Sequence, residues 1–122
     1  MRLTKYGHSC LLVEEGAARM LLDPGTLSGG FEELDGLTAV LVTHQHADHL
    51  DVERLRGLLD RNPGVRVVCD EGSAEPLGAA GAAVDTTLPY REPDRDRLEE
   101  LAARWGIGNV LGRAVKALGT PP

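Results

Sequence analysis

Four side chains that can bind metal ions lie within six consecutive residues, His44 to His49. His44 and His46 are two positions apart, so both imidazoles point the same way from an extended segment. Asp48 and His49 follow, and they can offer a carboxylate and a third imidazole to a second ion. Two ions about 3.5–4 Å apart can share a bridging water and lower its pKa, which is chemistry for hydrolysis. We therefore predict metal ligands at His44, His46, Asp48 and His49, with a solvated polar loop as the alternative.

The neighbouring elements place this segment at the end of a buried strand. Ala39–Thr43 is a short apolar run with β-branched residues, which favours a strand covered on both faces. Val52–Arg61 carries leucines at a spacing that gives a helix one apolar face, and Asn62-Pro63-Gly64 ends it. The candidate ligands therefore lie on the loop between a strand and a helix.

The rest of the first 86 residues indicates an α/β fold with a β-rich start. Short strand patterns open the chain, and Glu14-Glu15-Gly16 is a candidate hairpin turn. A second helix contains Pro76, which suits only the first turn of a helix. The remaining predicted elements are strands Arg2–Tyr6, Ser9–Val13, Arg19–Leu22, Val65–Cys69 and Ala82–Thr86, and the helix Ser73–Ala80. Strands that alternate with helices favour βαβαβ crossovers.

The composition and net charge of the chain exclude some classes of binding partner and indicate a cellular compartment. A net charge of −6 argues against a general electrostatic grip on nucleic acid or on an anionic membrane. No run approaches the roughly 20 apolar residues of a membrane span, and the first residues contain no apolar signal core, so we expect a cytoplasmic protein. Cys10 and Cys69 lie in apolar strand patterns, where we expect buried free thiols instead of a disulfide.

The sequence resembles a known family at three places. His44-x-His46-x-Asp48-His49 after a hydrophobic strand is the hallmark pattern of the metallo-β-lactamase-fold hydrolases. Tyr6-Gly7-His8-Ser9-Cys10 and Leu21-Leu22-Asp23-Pro24-Gly25 resemble the first strands of the branch that includes ascorbate-6-phosphate lactonase-like and other Zn-dependent hydrolases. The resemblance covers residues 1–86. It implies the N-terminal half of an αββα sandwich, zinc with manganese or iron as alternatives, and hydrolysis of an ester, lactone, amide or phosphodiester in a small molecule.

The same resemblance implies roles for individual residues. A metal-bound water or hydroxide would attack the substrate, and Asp48 would help to orient it as well as binding metal. His8 resembles a histidine at the mouth of related sites, where it would donate to substrate or orient a ligand; a satisfied strand-end histidine is the alternative. Asp23 would brace the loop through hydrogen bonds, and Thr43 would support it. Turn chemistry before Pro24 and plain β propensity are the alternatives for these two residues.

The remainder of the family's site has no counterpart in the sequence. The family uses two further histidines and a bridging aspartate from its second half, whereas no histidine follows His49. Nothing around the later aspartates resembles the bridging motif. The sequence therefore predicts an incomplete site that holds one or two ions, and it leaves the activity of this chain alone open. The competing hypothesis is a truncated, non-catalytic remnant that acts as a metal-binding or dimerising module.

Residues 87–122 differ in character from the first 86 and do not resemble the family. Alternating charges lead into two helix patterns, Asp96–Trp105 and Asn109–Leu118, separated by Gly106-Ile107-Gly108. We expect this helical pair to cover the apolar face of the sheet; a homodimer or a partner chain would otherwise have to do so. A helix turn that holds DNA phosphate and a tail from a rearranged gene are the two other hypotheses.

Overall fold

The computed structural model describes residues 1–87 and 94–117, which form two compact units divided between Leu88 and Pro89. The first unit contains a six-stranded sheet whose strands lie side by side in the order in which they occur along the chain. Its elements are strands β1 (Arg2–Lys5), β2 (Leu11–Glu15), β3 (Ala18–Leu22) and β4 (Ala39–Val42), helix α1 (Val52–Arg61), strand β5 (Arg66–Cys69), helix α2 (Glu71–Ala79) and strand β6 (Val84–Asp85).

The direction of the strands changes at β3. The β1–β2 and β2–β3 pairs are antiparallel, whereas β3, β4, β5 and β6 are parallel to one another. Parallel neighbours need a crossover connection, and α1 and α2 supply it for the last three strands. The predicted α/β fold, with a β-rich start followed by βαβαβ, is confirmed.

The predicted hairpin is present, but its turn is Gly16-Ala17, so the prediction was wrong for Glu14 and Glu15, which lie in the strand. Glu15 pairs with Ala18 in the ladder, which leaves Gly16 and the next residue as the turn, and Gly16 has a φ of 56°. Glu14 stays in the strand because it accepts hydrogen bonds from two flanking arginines, Arg2 (2.7 Å) and Arg19 (3.1 Å). The hydrogen bond from Arg2 is the main reason that the pKa of Glu14 lies below its usual range.

The two crossover helices begin at aspartate caps. Asp51 accepts a hydrogen bond from the backbone N–H of Arg54, and α1 covers the residues predicted for it. Asp70 caps α2 in the same way through Ser73 N–H, so this helix begins two residues earlier than predicted. Pro76 consequently lies in the second turn of α2, and the expectation that it suits only the first turn was wrong.

Both helices pack against the same face of the sheet. Cross-strand register places Leu12, Leu21, Val40 and Val67 in one row on that face. The buried cluster also contains Cys10, Phe31, Leu37, Val42, Leu50, Leu55, Leu58, Cys69 and Leu77. Burial of these aliphatic side chains is the main favourable term for the fold.

The opposite face of the sheet is also apolar. Leu11, Leu22, Leu41 and Val68 form one cross-strand row, and all four side chains are half-buried. Leu3, at the edge, is 57% exposed. This row, together with Leu3, Val13, Met20 and Ala39, is called the open sheet face below.

Asn62 closes α1 and holds the loop before β4 to the helix. Its side-chain amide donates to the carbonyls of Leu34 and Leu58, and its oxygen accepts from Leu37 N–H, all at 2.9 Å. Asn62 is 5% exposed, so these backbone groups have no easy access to water.

The substitution Asn62→Ala is expected to lower the free energy of unfolding by about 2–4 kcal/mol, because several buried backbone groups lose their hydrogen-bond partner at about 1–3 kcal/mol each. Urea unfolding followed by circular dichroism measures this. The exposed Arg56→Ala on the same helix is the control, and it should change stability by less than about 0.5 kcal/mol. Equal stability of the two variants would contradict this role.

The two cysteines are free and buried, as predicted. Burial, followed by the charge of Asp23, raises the pKa of the Cys10 thiol to about 12, and burial also raises the pKa of Cys69. Because the thiolate is the reactive form, both thiols should resist a disulfide reagent at pH about 8 in the folded chain and both should react after denaturation. A colorimetric thiol assay measures this, and rapid reaction of either thiol in the native chain would contradict it.

The second unit contains the predicted helical pair. Helices α3 (Arg95–Trp105) and α4 (Gly108–Ala117) are separated at Gly106, which ends α3 in the left-handed conformation with a φ of 66°. Trp105 is 66% exposed and Val110 is 56% exposed, and Leu118 lies outside the described residues. No helix within residues 1–87 and 94–117 has the length and apolar composition needed to cross a membrane.

Candidate metal centre

The site is assembled where two parallel strands end side by side. Asp23 follows β3 and Thr43 follows β4, and the carboxyl ends of these strands lie at the same edge of the sheet. Ligands of α/β sheets bind outside this edge. Asp23 has a φ of 44° and donates its N–H to the carbonyl of Leu41 at 2.9 Å, so the chain bends sharply there and the carboxylate turns towards Thr43.

Asp23 accepts three hydrogen bonds, two from Thr43 and one from His49. Its Oδ1 accepts from Thr43 N–H, and its Oδ2 accepts from the Thr43 hydroxyl and from His49 Nδ1–H, each at 2.8 Å. The residue is only 5% exposed, and a buried carboxylate needs such partners. The structure therefore brings Asp23, Thr43 and His49 into one network.

This network fixes the proton positions on two histidines. The Thr43 hydroxyl has one proton and gives it to Asp23, so at 3.0 Å it accepts from His44 Nδ1–H. His49 likewise carries its proton on Nδ1, which faces Asp23. When these imidazoles are neutral, the lone pair of each lies on Nε2, which is the arrangement that supports metal ligation in proteins.

Three potential ligand atoms lie close together at Nε2 of His49, the ring nitrogen that does not contact Asp23. Asp48 Oδ2 lies 2.9 Å from His8 Nε2 and 3.5 Å from His49 Nε2. All three atoms lie within 4.8 Å of one another. Partial burial raises the pKa of Asp48, but the hydrogen bond from His8 and the charges of His49 and His8 outweigh it, so the pKa lies below its usual range. A carboxylate is therefore available to a cation at neutral pH.

The other two predicted ligands lie next to this group. The ring centroids of His44 and His46 are 4.7 Å apart, and those of His44 and His49 are 4.1 Å apart. His44 and His49 are half-buried, whereas His46 is exposed. The four predicted ligands and His8 thus share one location, and His46 and His8 are the exposed members of this group.

Backbone contacts hold residues 44–49, called the ligand loop below, against residues 23–32, called the segment after β3. Thr26 N–H donates to Ala47 O at 2.8 Å, and Asp51 N–H donates to Pro24 O at 3.0 Å. A Cβ atom on Gly25 would lie 2.0 Å from Asp48 O and 2.5 Å from His49 N, so only glycine fits there. The sequence identified Gly25 only as part of the motif Leu21-Leu22-Asp23-Pro24-Gly25, and the close approach that requires glycine has no local signal.

Arg54 is a second supporting residue that sequence analysis missed. It donates to Glu32 at 2.9 Å from Nε and to the carbonyl of Ser28 at 2.8 Å from Nη2. Its guanidinium lies 4.5 Å from the centre of the Phe31 ring, within cation–π range. Arg54 thus fastens the segment after β3 to the first turn of α1. In the sequence, Arg54 was readable only as a residue on the polar face of a predicted helix, and nothing in its neighbours indicated these contacts.

The chemistry of the donor set fits a divalent transition metal. Three imidazoles and a carboxylate are the ligand types that suit zinc, iron and manganese. The Nδ1–H groups of His44 and His49 are already bonded to oxygen acceptors, and the Nε2 atom of His49 faces the Asp48 carboxylate. The residues present can therefore hold such an ion without rearrangement of this support.

A family model described as beta-lactamase superfamily domain matches residues 2–110. The chain belongs to this superfamily. The match extends past residue 86, where the recognised motifs end, and includes α3. A structure described as that of a metal-dependent hydrolase from Parabacteroides distasonis is similar with a TM-score of 0.57 at 20% identity, over 79% of this chain and 49% of the other. The resemblance to the metallo-β-lactamase fold is thereby confirmed.

Two curated relatives of this chain are longer than the chain itself. Protein Rv0786c of Mycobacterium tuberculosis is 54% identical over 94 residues, which are 75% of this chain and 44% of the relative. A UPF0173 metal-dependent hydrolase of Agrobacterium fabrum is 37% identical over 91 residues, which are 68% of this chain and 37% of the relative. This superfamily chain therefore spans less than half the length of these relatives.

Proposed function

We propose that this chain provides the metal-binding part of a metal-dependent hydrolase that acts on an ester, lactone, amide or phosphodiester of a small molecule. His44, His46, Asp48 and His49 are the proposed metal ligands, with Asp23 and Thr43 as their supports. Relatives that carry the printed name metal-dependent hydrolase support the reaction class. The bond that is cleaved and the substrate follow from the sequence resemblance.

One observation carries the proposal. Asp23 is buried and accepts hydrogen bonds from both Thr43 and His49, which leaves Nε2 of His49 directed at the Asp48 carboxylate. A solvated polar loop has no need of a buried carboxylate that orients an imidazole. This arrangement is typical of histidines that bind metal, where the second ring nitrogen is held by an oxygen acceptor.

Individual residues of the chain have different roles in the proposed reaction. When bound, a divalent cation supplies Lewis acidity and a water of lowered pKa. The Asp48 carboxylate, kept ionised by its neighbours, can accept a hydrogen bond from an attacking water and hold it in line with the scissile bond. His8 bonds to the same carboxylate and limits its rotation. His46 and His8 are the exposed imidazoles, so a substrate can reach them from solvent.

Zinc is the proposed metal, and the cytoplasm is the proposed compartment. Imidazole-rich sites with one carboxylate suit zinc, whereas manganese and iron tolerate the same ligands. Two buried free thiols fit a reducing compartment, in which disulfides are rare.

Hydrolysis of model substrates tests the proposed function. The zinc-loaded chain should release p-nitrophenol from bis(p-nitrophenyl) phosphate or p-nitrophenyl acetate, or open a simple lactone, at least about ten-fold faster than Asp48→Asn with equal metal content. Circular dichroism should show that the variant folds. A wild-type rate equal to the uncatalysed rate on every substrate class would contradict hydrolysis and favour a non-catalytic binding module, whereas equal rates above it for both proteins would contradict the role of Asp48.

The open sheet face supports a second proposal, that two copies of the chain associate through it. The face is a continuous apolar row with a 57% exposed leucine at its edge, and large exposed apolar patches mark interfaces. The metallo-β-lactamase fold packs two similar halves face to face, so a second copy presents a surface of the matching kind. Light scattering after gel filtration should give a dimer that Val13→Lys weakens and the exposed Arg56→Glu on α1 does not. A monomer at every concentration would contradict it.

A further inference from the structure

We propose that His8, Asp48 and His49 form a three-ligand metal site that needs no residue after position 49. The inference rests on the proposed function, because it assumes that the chain binds a divalent cation, and it changes which residues hold the first ion. His8 is thereby a metal ligand, where the sequence suggested contact with a substrate. His44 and His46 are the first residues of the recognised motif. They bind a metal ion more weakly than the three-ligand site does.

The spacing of the ligand atoms supports this assignment. Atoms about 2.0–2.1 Å from a tetrahedral zinc ion are about 3.3 Å from one another. Asp48 Oδ2 lies 2.9 Å from His8 Nε2 and 3.5 Å from His49 Nε2, on either side of that value. The remaining separation, between His8 Nε2 and His49 Nε2, is within 4.8 Å. A small movement of one imidazole ring therefore brings all three atoms to the spacing of zinc ligands.

The turn that carries His8 is fixed in place before any ion binds. Gly7 forms a bridge with Ser28, and Gly29 N–H donates to the carbonyl of Tyr6 at 2.9 Å. A Cβ atom on Gly7 would lie 3.0 Å from the carbonyl oxygen of Leu27, so the turn packs closely on that segment. Ligands held in advance lose less conformational entropy when they bind, which favours affinity.

His49 and Asp48 are likewise held from behind. Asp23 fixes the Nδ1–H of His49, and Ser9 donates its hydroxyl to the backbone carbonyl of Asp48 at 3.4 Å. Ser9 is the neighbour of His8, so the His8 turn touches the ligand loop at two points. Binding requires only that His8 carry its proton on Nδ1, so that Nε2 offers a lone pair in place of the hydrogen bond to Asp48.

The alternative pair lacks a third ligand in the part of the chain that the structure describes. Within residues 1–87 and 94–117, the group of three converging ligand atoms is His8, Asp48 and His49. His44 and His46 lie with ring centroids 4.7 Å apart and are not members of that group. Three protein ligands leave one open tetrahedral position for a water or a substrate atom, whereas two ligands hold an ion weakly.

Calorimetric titration of the full 122-residue chain with zinc separates the two assignments. The inference predicts one tight site in the wild type, a loss of at least about ten-fold in affinity in His8→Asn, and wild-type affinity in the control Asp35→Asn, whose side chain is 85% exposed. Asparagine is chosen because it tolerates the positive φ of 20° at position 8. Unchanged affinity in His8→Asn would overturn the inference.

A measurement on the wild type avoids the question of whether the variants fold. In a histidine-selective NMR titration, the ring signals of His8 and His49 should change with the first equivalent of zinc, and those of His46 only with excess. First changes at His44 and His46 would overturn the inference while leaving the proposed function intact. No change at any histidine would contradict both.

Discussion

Replacing Asp23 by asparagine is expected to lower the affinity of the chain for zinc by about 10–100-fold, because groups that orient metal-binding histidines have effects of this size. The carboxylate accepts from the Thr43 hydroxyl and from His49 Nδ1–H on one oxygen. An amide NH₂ in that position offers protons to both groups instead of accepting them. His49 must then rotate or move its proton to Nε2. After either change, His49 Nε2 no longer offers a lone pair to a metal ion beside the Asp48 carboxylate.

Asparagine isolates this effect from a change in backbone. Asp23 has a φ of 44°, and asparagine is among the few residues that tolerate the left-handed region, so the turn before Pro24 should persist. Asp35→Asn, which changes a side chain that is 85% exposed, is the matched control and should bind zinc as the wild type does. Competition with a chromogenic chelator measures the affinities. Equal affinity in Asp23→Asn and the wild type would show that this carboxylate does not orient a ligand.

Gly25→Ala is expected to reduce both stability and metal binding. The added methyl group would lie 2.0 Å from the carbonyl oxygen of Asp48 and 2.5 Å from the backbone nitrogen of His49. These are backbone atoms and cannot rotate away, so the ligand loop must move by more than an ångström. Overpacking of this kind costs about 1–3 kcal/mol, and the displacement should also lower zinc affinity by at least about ten-fold.

Gly57→Ala is the control for the loss of a glycine. Gly57 lies within α1, and a Cβ atom there would meet nothing within 4 Å. Alanine at this position should raise the free energy of unfolding by about 0.5–1 kcal/mol, since glycine is a poor residue in the middle of a helix. Chemical unfolding of both variants checks that the free energy of unfolding falls in Gly25→Ala and rises in Gly57→Ala. Zinc titration checks that only Gly25→Ala binds more weakly. A stable Gly25→Ala with normal zinc binding would mean that the ligand loop is not held against the segment after β3.

The sequence predicted the elements whose signals are local. The apolar run before His44 and the leucine spacing of α1 located the strand and the helix on either side of the ligand loop. Three histidines and an aspartate in six residues predicted the location of the site. These signals depend on neighbours within a few positions, and such patterns are readable without a structure.

The residues that the sequence could not assign act over long separations. Gly25 is required because Asp48 and His49 approach it from more than twenty positions away, and Arg54 contacts Ser28 and Glu32 across a similar distance. The hairpin turn was misplaced because cross-strand partners of Glu14 outweigh its low strand propensity, which is a tertiary effect. His8 had two open interpretations in the sequence, because its 2.9 Å contact with Asp48 joins residues forty positions apart.

The metal content of the zinc-loaded and desalted chain, compared between the wild type and His49→Ala, tests the central claim most directly. His49 belongs both to the recognised ligand motif and to the group formed with His8 and Asp48, and it is the ligand that Asp23 holds. Elemental analysis should find at least one zinc ion per wild-type chain and a large loss in a His49→Ala variant that remains folded by circular dichroism. A metal-free wild type, or a variant that keeps its zinc, would contradict the claim that this loop is a metal centre.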